Sequence, residues 1–432
     1  MTAQSIAVDA PVARTKLNGQ QIAGFWAAWA GWLLDGMDSV IYALVLAPAL
    51  TELLPHSGVA PTAANVGFAG SILFAVFLAG WGFSFLWGPI ADHFGRTRSL
   101  AATILMYAIF TGAAAFAQNV WQLGLFRFLA GVGVGGEWAM AGTYVAEAWP
   151  EDRRKMGAGY LQTGYYFGFF AAAALNYTVG ARFGWRAMFL CGFVPVIVSA
   201  LTLRRVKEPE RWKKHEAEAR RAHPLAEIFS PAYRKRTIVN ATLLTVAIIG
   251  LWAGAVYEPA AISTLAKRAG IVGPAVAKLV SLGTGVLSIG TILGCIALPV
   301  FAERWGRKIT VALYFAGMMV TIPLAFGWAF YLENGLAPFI VILFFMGFAG
   351  GNFTAFSLWL PEQYDTRVRA TAFAFATSVG RFVGAGVNFL LASMVLRMGT
   401  LGTPVSMTAI AFGIGILIIP FAIETTGQSL PE

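Results

Sequence analysis

Charge is what this sequence has least of. Only 12% of its 432 residues are Asp, Glu, Lys or Arg, whereas 58% are hydrophobic and the mean hydropathy is +0.67. A soluble protein of this length needs far more charge to cover its surface. Cysteine is nearly absent: Cys191 and Cys295 each sit in an apolar stretch and read as core fillers, not as a disulfide. Four histidines occur (His56, His93, His215 and His223), and none falls in an apolar run. A proton relay inside such runs therefore has to use carboxylates. There is no Gly-x-Ser-x-Gly, no His-Glu-x-x-His, no Cys/His metal cluster and no phosphate-binding glycine loop. These absences point away from an enzyme, a metal centre or an ATP-driven machine, and no cofactor is expected beyond a coupling proton. The opening stretch, MTAQSIAVDAPVARTKLNGQQ, carries Asp9 and no apolar core, unlike a signal peptide.

Long hydrophobic runs fill the rest. A bilayer crossing takes about 20 apolar residues. Twelve such runs are placed at 22–50, 66–91, 99–118, 120–148, 156–179, 186–203, 237–262, 274–302, 309–332, 337–360, 370–395 and 402–423. The expected fold is an all-α polytopic membrane protein of two six-helix bundles, residues 22–203 and 237–423. A tail at 1–21, a central loop at 204–236 and a tail at 424–432 complete it. The net charge of +10 raises nucleic acid as a partner, but the distribution of the 31 basic residues argues otherwise. Arg182, Arg186, Lys267, Arg268, Lys278 and Arg397 lie on one face, Arg127 and Arg381 lie within runs, and all the others lie on the opposite face. That bias sets topology, with both termini cytoplasmic in the cell inner (plasma) membrane. No nucleic acid is expected to bind, and the chain is expected to act as a monomer. The central loop, with its mixed charge at helical spacing, reads as a solvated linker lying near lipid headgroups.

The two halves repeat each other. GPIADHFGRTR, from Gly88 to Arg98, corresponds to LPVFAERWGRK, from Leu298 to Lys308. Gly135-Gly136-Glu137 corresponds to Gly350-Gly351-Asn352, and Glu147 to Glu362. Parallel repeats about an axis along the membrane normal suit a carrier whose halves rock against each other. The string Gly88, Asp92, Gly95, Arg96, Arg98, with its second copy, resembles the signature loop of the major facilitator superfamily. That resemblance covers essentially the whole chain. It implies a cytoplasmic charge network acting as a gate, carried over to Asp92, Arg96, Glu147 and Arg153 and to Glu303, Arg307, Glu362 and Arg367. A narrower resemblance rests on GWLLDGMD (Gly31 to Asp38), FRFLAGVGVGGEW and AEAWPEDRRKMGAGYLQTGYYFG. These strings are similar to the sialate/lactate and aromatic-acid branches of the metabolite:proton symporters. The implied function is proton-coupled uptake of a small organic acid anion by alternating access. A neutral or zwitterionic metabolite, or efflux, remains the alternative.

Charges inside the runs are few, and each costs at least about 2.5–3.5 kcal/mol at mid-membrane. Asp35 and Asp38 lie about 20 and 24 Å from where their helix enters, and Arg127 lies about 10 Å from the opposite face. In a core about 30 Å thick these depths coincide. The two aspartates share a helix face. An ion pair between Arg127 and one of them leaves the other in low dielectric beside a like charge, which favours its protonated form. Asp35, Asp38 and Arg127 are therefore the expected coupling residues, with Asp38 the favoured partner of Arg127 and Glu137 a further candidate nearer the cytoplasm. Arg381 lies about 17 Å deep, near the midplane, where a guanidinium fork matches a carboxylate. Asn352, Asn388, Gln162, Tyr165 and Tyr166 are the remaining candidate substrate contacts.

Overall fold

The computed structural model describes residues 15–219, 223–272 and 274–432. Residues 1–14 of the expected N-terminal tail and 220–222 of the central loop lie outside the described residues. The first half is six crossings: α1 Gly19–Leu53, α2 Phe68–Phe94, α3 Arg96–Phe116, α4 Val120–Ala148, α5 Arg154–Leu175 and α6 Arg182–Arg205. The second half repeats them: α7 Arg234–Arg268, α8 Pro274–Trp305, α9 Arg307–Tyr331, α10 Leu336–Gln363, α11 Arg369–Val395 and α12 Gly402–Phe421. Among the described residues nine helices are both long and apolar enough to cross a membrane. Helices α4, α5 and α7 are 29, 22 and 35 residues long but carry more polar side chains. Polar side chains of α4 and α5 join those of α1 and α11 in the candidate site.

Helix starts follow the local sequence. Asn18 caps α1 with a capping box closed by Gln21, and Asn119 caps α4 by accepting from the Gln122 amide at 2.9 Å. At the start of α3 a remote carboxylate does this work. Glu208 accepts from the amides of Arg96, Thr97 and Arg98 at 2.7, 3.0 and 3.1 Å. Glu424 does the same for α9, accepting from Arg307 and Lys308 at 3.0 and 3.1 Å. Burial works to raise the Glu424 carboxyl, but the hydrogen bonds from Thr426 and from those two amides hold it below its ordinary value. Before each capped helix the chain turns through a glycine with positive φ, 109° at Gly95 and 88° at Gly306, a conformation that a side chain strains.

Close helix contact fixes the depth of the inner charges. A Cβ on Gly36 would lie 2.1 Å from the Tyr165 carbonyl oxygen, and one on Gly168 would lie 2.1 Å from that of Leu33. Helices α1 and α5 thus touch backbone to backbone beside Asp35 and Asp38, in the small-residue packing typical of membrane helices.

The central loop is not a free linker. Beyond the Glu208 cap, Trp212 is buried to 3% exposure and donates from its indole to the Asp92 carbonyl at 3.1 Å. The loop is pinned over the ends of α2 and α3.

Candidate functional site

Helix α1 brings Asp35 and Asp38 into the interior, at 0% and 2% exposure. Arg127 of α4 is fully buried opposite them, its Nη1 3.5 Å from Asp38 Oδ1, while its Nη2 donates to the Thr111 hydroxyl of α3 at 2.7 Å. The rings of Phe189, Tyr42 and Phe77 stand 5.2, 5.3 and 5.8 Å from the guanidinium carbon. An aromatic cuff of this kind stabilises a cation away from water. Neither aspartate has a hydrogen-bond partner among the described residues, and Asp35 differs in having no ion pair there either. Glu137 of α4 is likewise fully buried with both oxygens unpartnered. It faces α1 one turn below Asp35, where a Cβ on Gly31 would lie 2.7 Å from its Oε1.

Arg381 of α11 approaches from the second half. It is 4% exposed, and its guanidinium carbon lies over the Trp81 ring, 3.9 Å from the ring centre, with Trp138 at 5.9 Å. Its one hydrogen bond among the described residues runs from Nη1 to the Thr377 carbonyl at 3.2 Å, one turn back on its own helix. No carboxylate forms an ion pair with it there, although Asp35 is within electrostatic reach. Beside it Trp138 stacks on Trp32 at 5.9 Å and 14°, and Trp32 meets Tyr165 at 4.8 Å. Gln162, Tyr165, Tyr166 and Asn352 are all buried, and among the described residues Gln162 Oε1 and Asn352 Oδ1 have no hydrogen-bond partner. Asn388 lies two turns beyond Arg381 on α11, half-buried, with its amide nitrogen unpartnered among the described residues. Trp29 donates to Thr163 and Trp359 to the Ile423 carbonyl, so both serve helix packing. A cavity of about 520 Å³ opens elsewhere, between Leu54, Phe68, Trp121 and Phe128, and no charged side chain lines it.

Beneath this centre, on the side of the central loop, lies a charge network. Arg96 binds Glu147 at 2.9 and 3.0 Å and Asp92 at 3.0 Å, within the first half. Arg307 binds Glu362 in the same way, at 3.0 Å through two nitrogens, and Glu303 at 2.9 Å. Bonds across the halves complete it. Arg369 Nη1 meets Glu147 at 2.7 Å, Arg154 Nη2 meets Glu362 at 3.2 Å, and Lys155 meets Glu303 at 2.8 Å. Asp92 accepts from both the amide and the hydroxyl of Thr371, at 2.9 and 2.6 Å.

Two of the expected gate residues are displaced. Arg153 stands only half-buried, and its neighbour Arg154 crosses to Glu362. Arg367 turns outward to Glu227 and Asp365, while Arg369 crosses to Glu147. The reason is helical phase. Arg154 and Arg369 are each the seventh residue after their glutamate and open the next helix, which aims them back at the partner half. Arg153 and Arg367 precede those helices. That shared spacing was readable in the sequence, whereas nothing in it pointed to Trp81 or Thr111.

The Major Facilitator Superfamily model matches residues 28–388. The chain belongs to the Major Facilitator Superfamily. This makes it a multi-pass transporter of the cell inner membrane and not an enzyme. Like other members of the superfamily it has relatives that move small metabolites. It is 28% identical to the probable 4-methylmuconolactone transporter of Cupriavidus pinatubonensis, over 95% of this chain and 94% of that one. It is 26% identical to the niacin transporter of Acinetobacter baylyi, over 94% of each. It is 25% identical to the gentisate transporter of Corynebacterium glutamicum, over 94% of this chain and 88% of that one. The solved structure of the proton:xylose symporter XylE shares the major facilitator fold, with a TM-score of 0.78 at 18% identity over 95% of this chain and 98% of that one.

Proposed function

We propose that this major facilitator carrier takes up a small organic acid anion together with a proton, and that Arg381 holds the carboxylate. The observation that carries the reading is a guanidinium buried to 4% exposure near the middle of the bundle, over the Trp81 ring, with no ion pair among the described residues. Such a cation is costly when empty and is placed where these carriers bind solute. The relatives support the acid, since niacin and gentisate are carboxylic acids. The stacked Trp32 and Trp138 offer a flat apolar face to a ring or conjugated chain.

Coupling follows from competition. Asp35, which is within electrostatic reach of Arg381, and the solute carboxylate compete for its charge. A proton on Asp35 removes the rival charge and strengthens anion binding, and bound anion equally favours the proton. Asp38 stays tied to Arg127 and holds α1 against α4, while Glu137 offers a second carboxyl one turn closer to the gate. Among the described residues, the hydrogen bonds and ion pairs joining the halves lie on the gate side of Arg381. The carrier is therefore closed at the central-loop face, read here as cytoplasmic, and receives solute from outside.

Proteoliposomes test this. An imposed inward proton gradient should drive accumulation of a monocarboxylate such as niacin or gentisate, and adding the acid should alkalinise the outside. Movement of the neutral amide analogue alone, with no proton flux, would favour a neutral substrate.

A further inference from the structure

The last residues of the chain cross the closed gate and are held from both halves. Leu430 is buried to 3% exposure. Its amide donates to Glu151 of the first half at 3.3 Å, and its carbonyl accepts from Arg211 of the central loop at 2.8 Å. The Pro431 carbonyl accepts from Arg369 of the second half at 2.5 Å. Arg154 reaches the Gln428 carbonyl at 3.5 Å. Arg211 also binds Glu151 at 3.2 Å, so loop, first half and tail close on one another. Among the described residues Arg154 and Arg369 are the two arginines that pair with a glutamate of the opposite half, and each also donates to this segment. Glu424, capping α9, anchors the segment at its root.

The geometry points to residues 428–431 being a strap that locks the carrier in the state closed at the central-loop face, and that must leave before that face opens. The segment continues from α12 and moves with the second half. Glu151 and Arg154 move with the first. When the halves rock apart, the tail cannot keep both sets of partners. Its bonds are therefore made in one state and lost in the other, which is the condition for a contact to bias a conformational equilibrium. The recipients are backbone carbonyls, so the strap depends on the path of the tail more than on its side chains, Leu430 excepted. Arg211 makes the loop part of the same lock.

The test is a spin-label distance across the gate in the full-length carrier. Arg98→Cys and Arg304→Cys place one label on an exposed position of each half at the gate face, with Cys191→Ser and Cys295→Ala removing the native thiols. Arg211→Ala and Leu430→Asp, singly and together, each remove a part of the lock outside the candidate binding centre. Loss of one charge-assisted hydrogen bond should raise the open, long-distance population about tenfold. Hydrogen exchange at the Leu430 amide reports whether the strap has left. Protection in the parent, lost in the variants together with the distance shift, supports the lock. A freely exchanging Leu430 amide in the parent overturns it. So does a strap freed with no change in distances, or an amide still protected in the double variant.

Discussion

Asp35 and Asp38 stand one turn apart on the same helix, yet their replacement by asparagine should have very unequal consequences for stability. Asp38 lies 3.5 Å from a fully buried guanidinium. At an effective dielectric of about 20, attraction at that distance is about 5 kcal/mol. Asparagine keeps a carbonyl that accepts from Arg127, which retains about 1–2 kcal/mol. Asp38→Asn should therefore cost about 3 kcal/mol, the low end for breaking a buried pair. The Thr111 hydroxyl and the three aromatic rings, unchanged in the variant, keep the loss from being larger. Among the described residues Asp35 has no hydrogen bond or ion pair to lose, so Asp35→Asn should change stability by less than about 1 kcal/mol. Thermal unfolding of the purified carrier in detergent measures both. The double variant Asp38→Asn/Arg127→Met, which removes the stranded cation, should recover most of the loss. Equal melting temperatures for the two single variants, or a double variant no better than Asp38→Asn, would refute the assignment of the pair.

Arg381→Lys keeps the charge but loses the planar fork and its stacking on Trp81, so transport of the acid should fall about 10- to 100-fold in a folded, inserted protein, read as initial uptake in proteoliposomes. Asp35→Asn should abolish accumulation against a gradient and leave solute exchange intact, because exchange does not require proton release; uphill transport by this variant sinks the competition scheme. Asp92→Asn weakens two bonds to Thr371 across the gate and should shift the carrier toward the state open at that face, seen as reagent access to a cysteine placed in the gate. Gly36→Ala places a methyl 2.1 Å from the Tyr165 carbonyl and should cost at least about 2 kcal/mol by forcing α1 off α5, with a lowered melting temperature as the readout.

The membrane fold and its internal repeat were legible because they depend on hydropathy and on glycine and charge motifs, which are local. Depth along a helix was legible too: counting the rise per residue set Arg127 level with Asp38, and the contact is 3.5 Å. Azimuth was not. Whether Arg153 or Arg154 crosses the gate depends on where the next helix begins and which way its first turn faces, and the same holds for Arg367 and Arg369. The docking of the central loop was equally hidden. Composition reports a charged segment, while the seating of Trp212 and the capping role of Glu208 depend on backbone groups of other helices.

The crossing pairs, Glu147 with Arg369 and Glu362 with Arg154, have a consequence for ancestry. Each half presents one glutamate and, seven residues on, one arginine, so its gate surface is its own complement. Two copies of a single half, related by a two-fold axis, would satisfy the same bonds, as an isologous dimer does. A duplicated gene whose ancestor worked as a dimer would inherit this surface intact. The divergence since then is visible one step away: Asp92 is sealed at 0% exposure against Thr371, whereas its counterpart Glu303 meets Lys155 with its side chain 47% open to solvent. One lock has gone dry and the other has stayed wet, so salt should loosen the Glu303 side of the gate first.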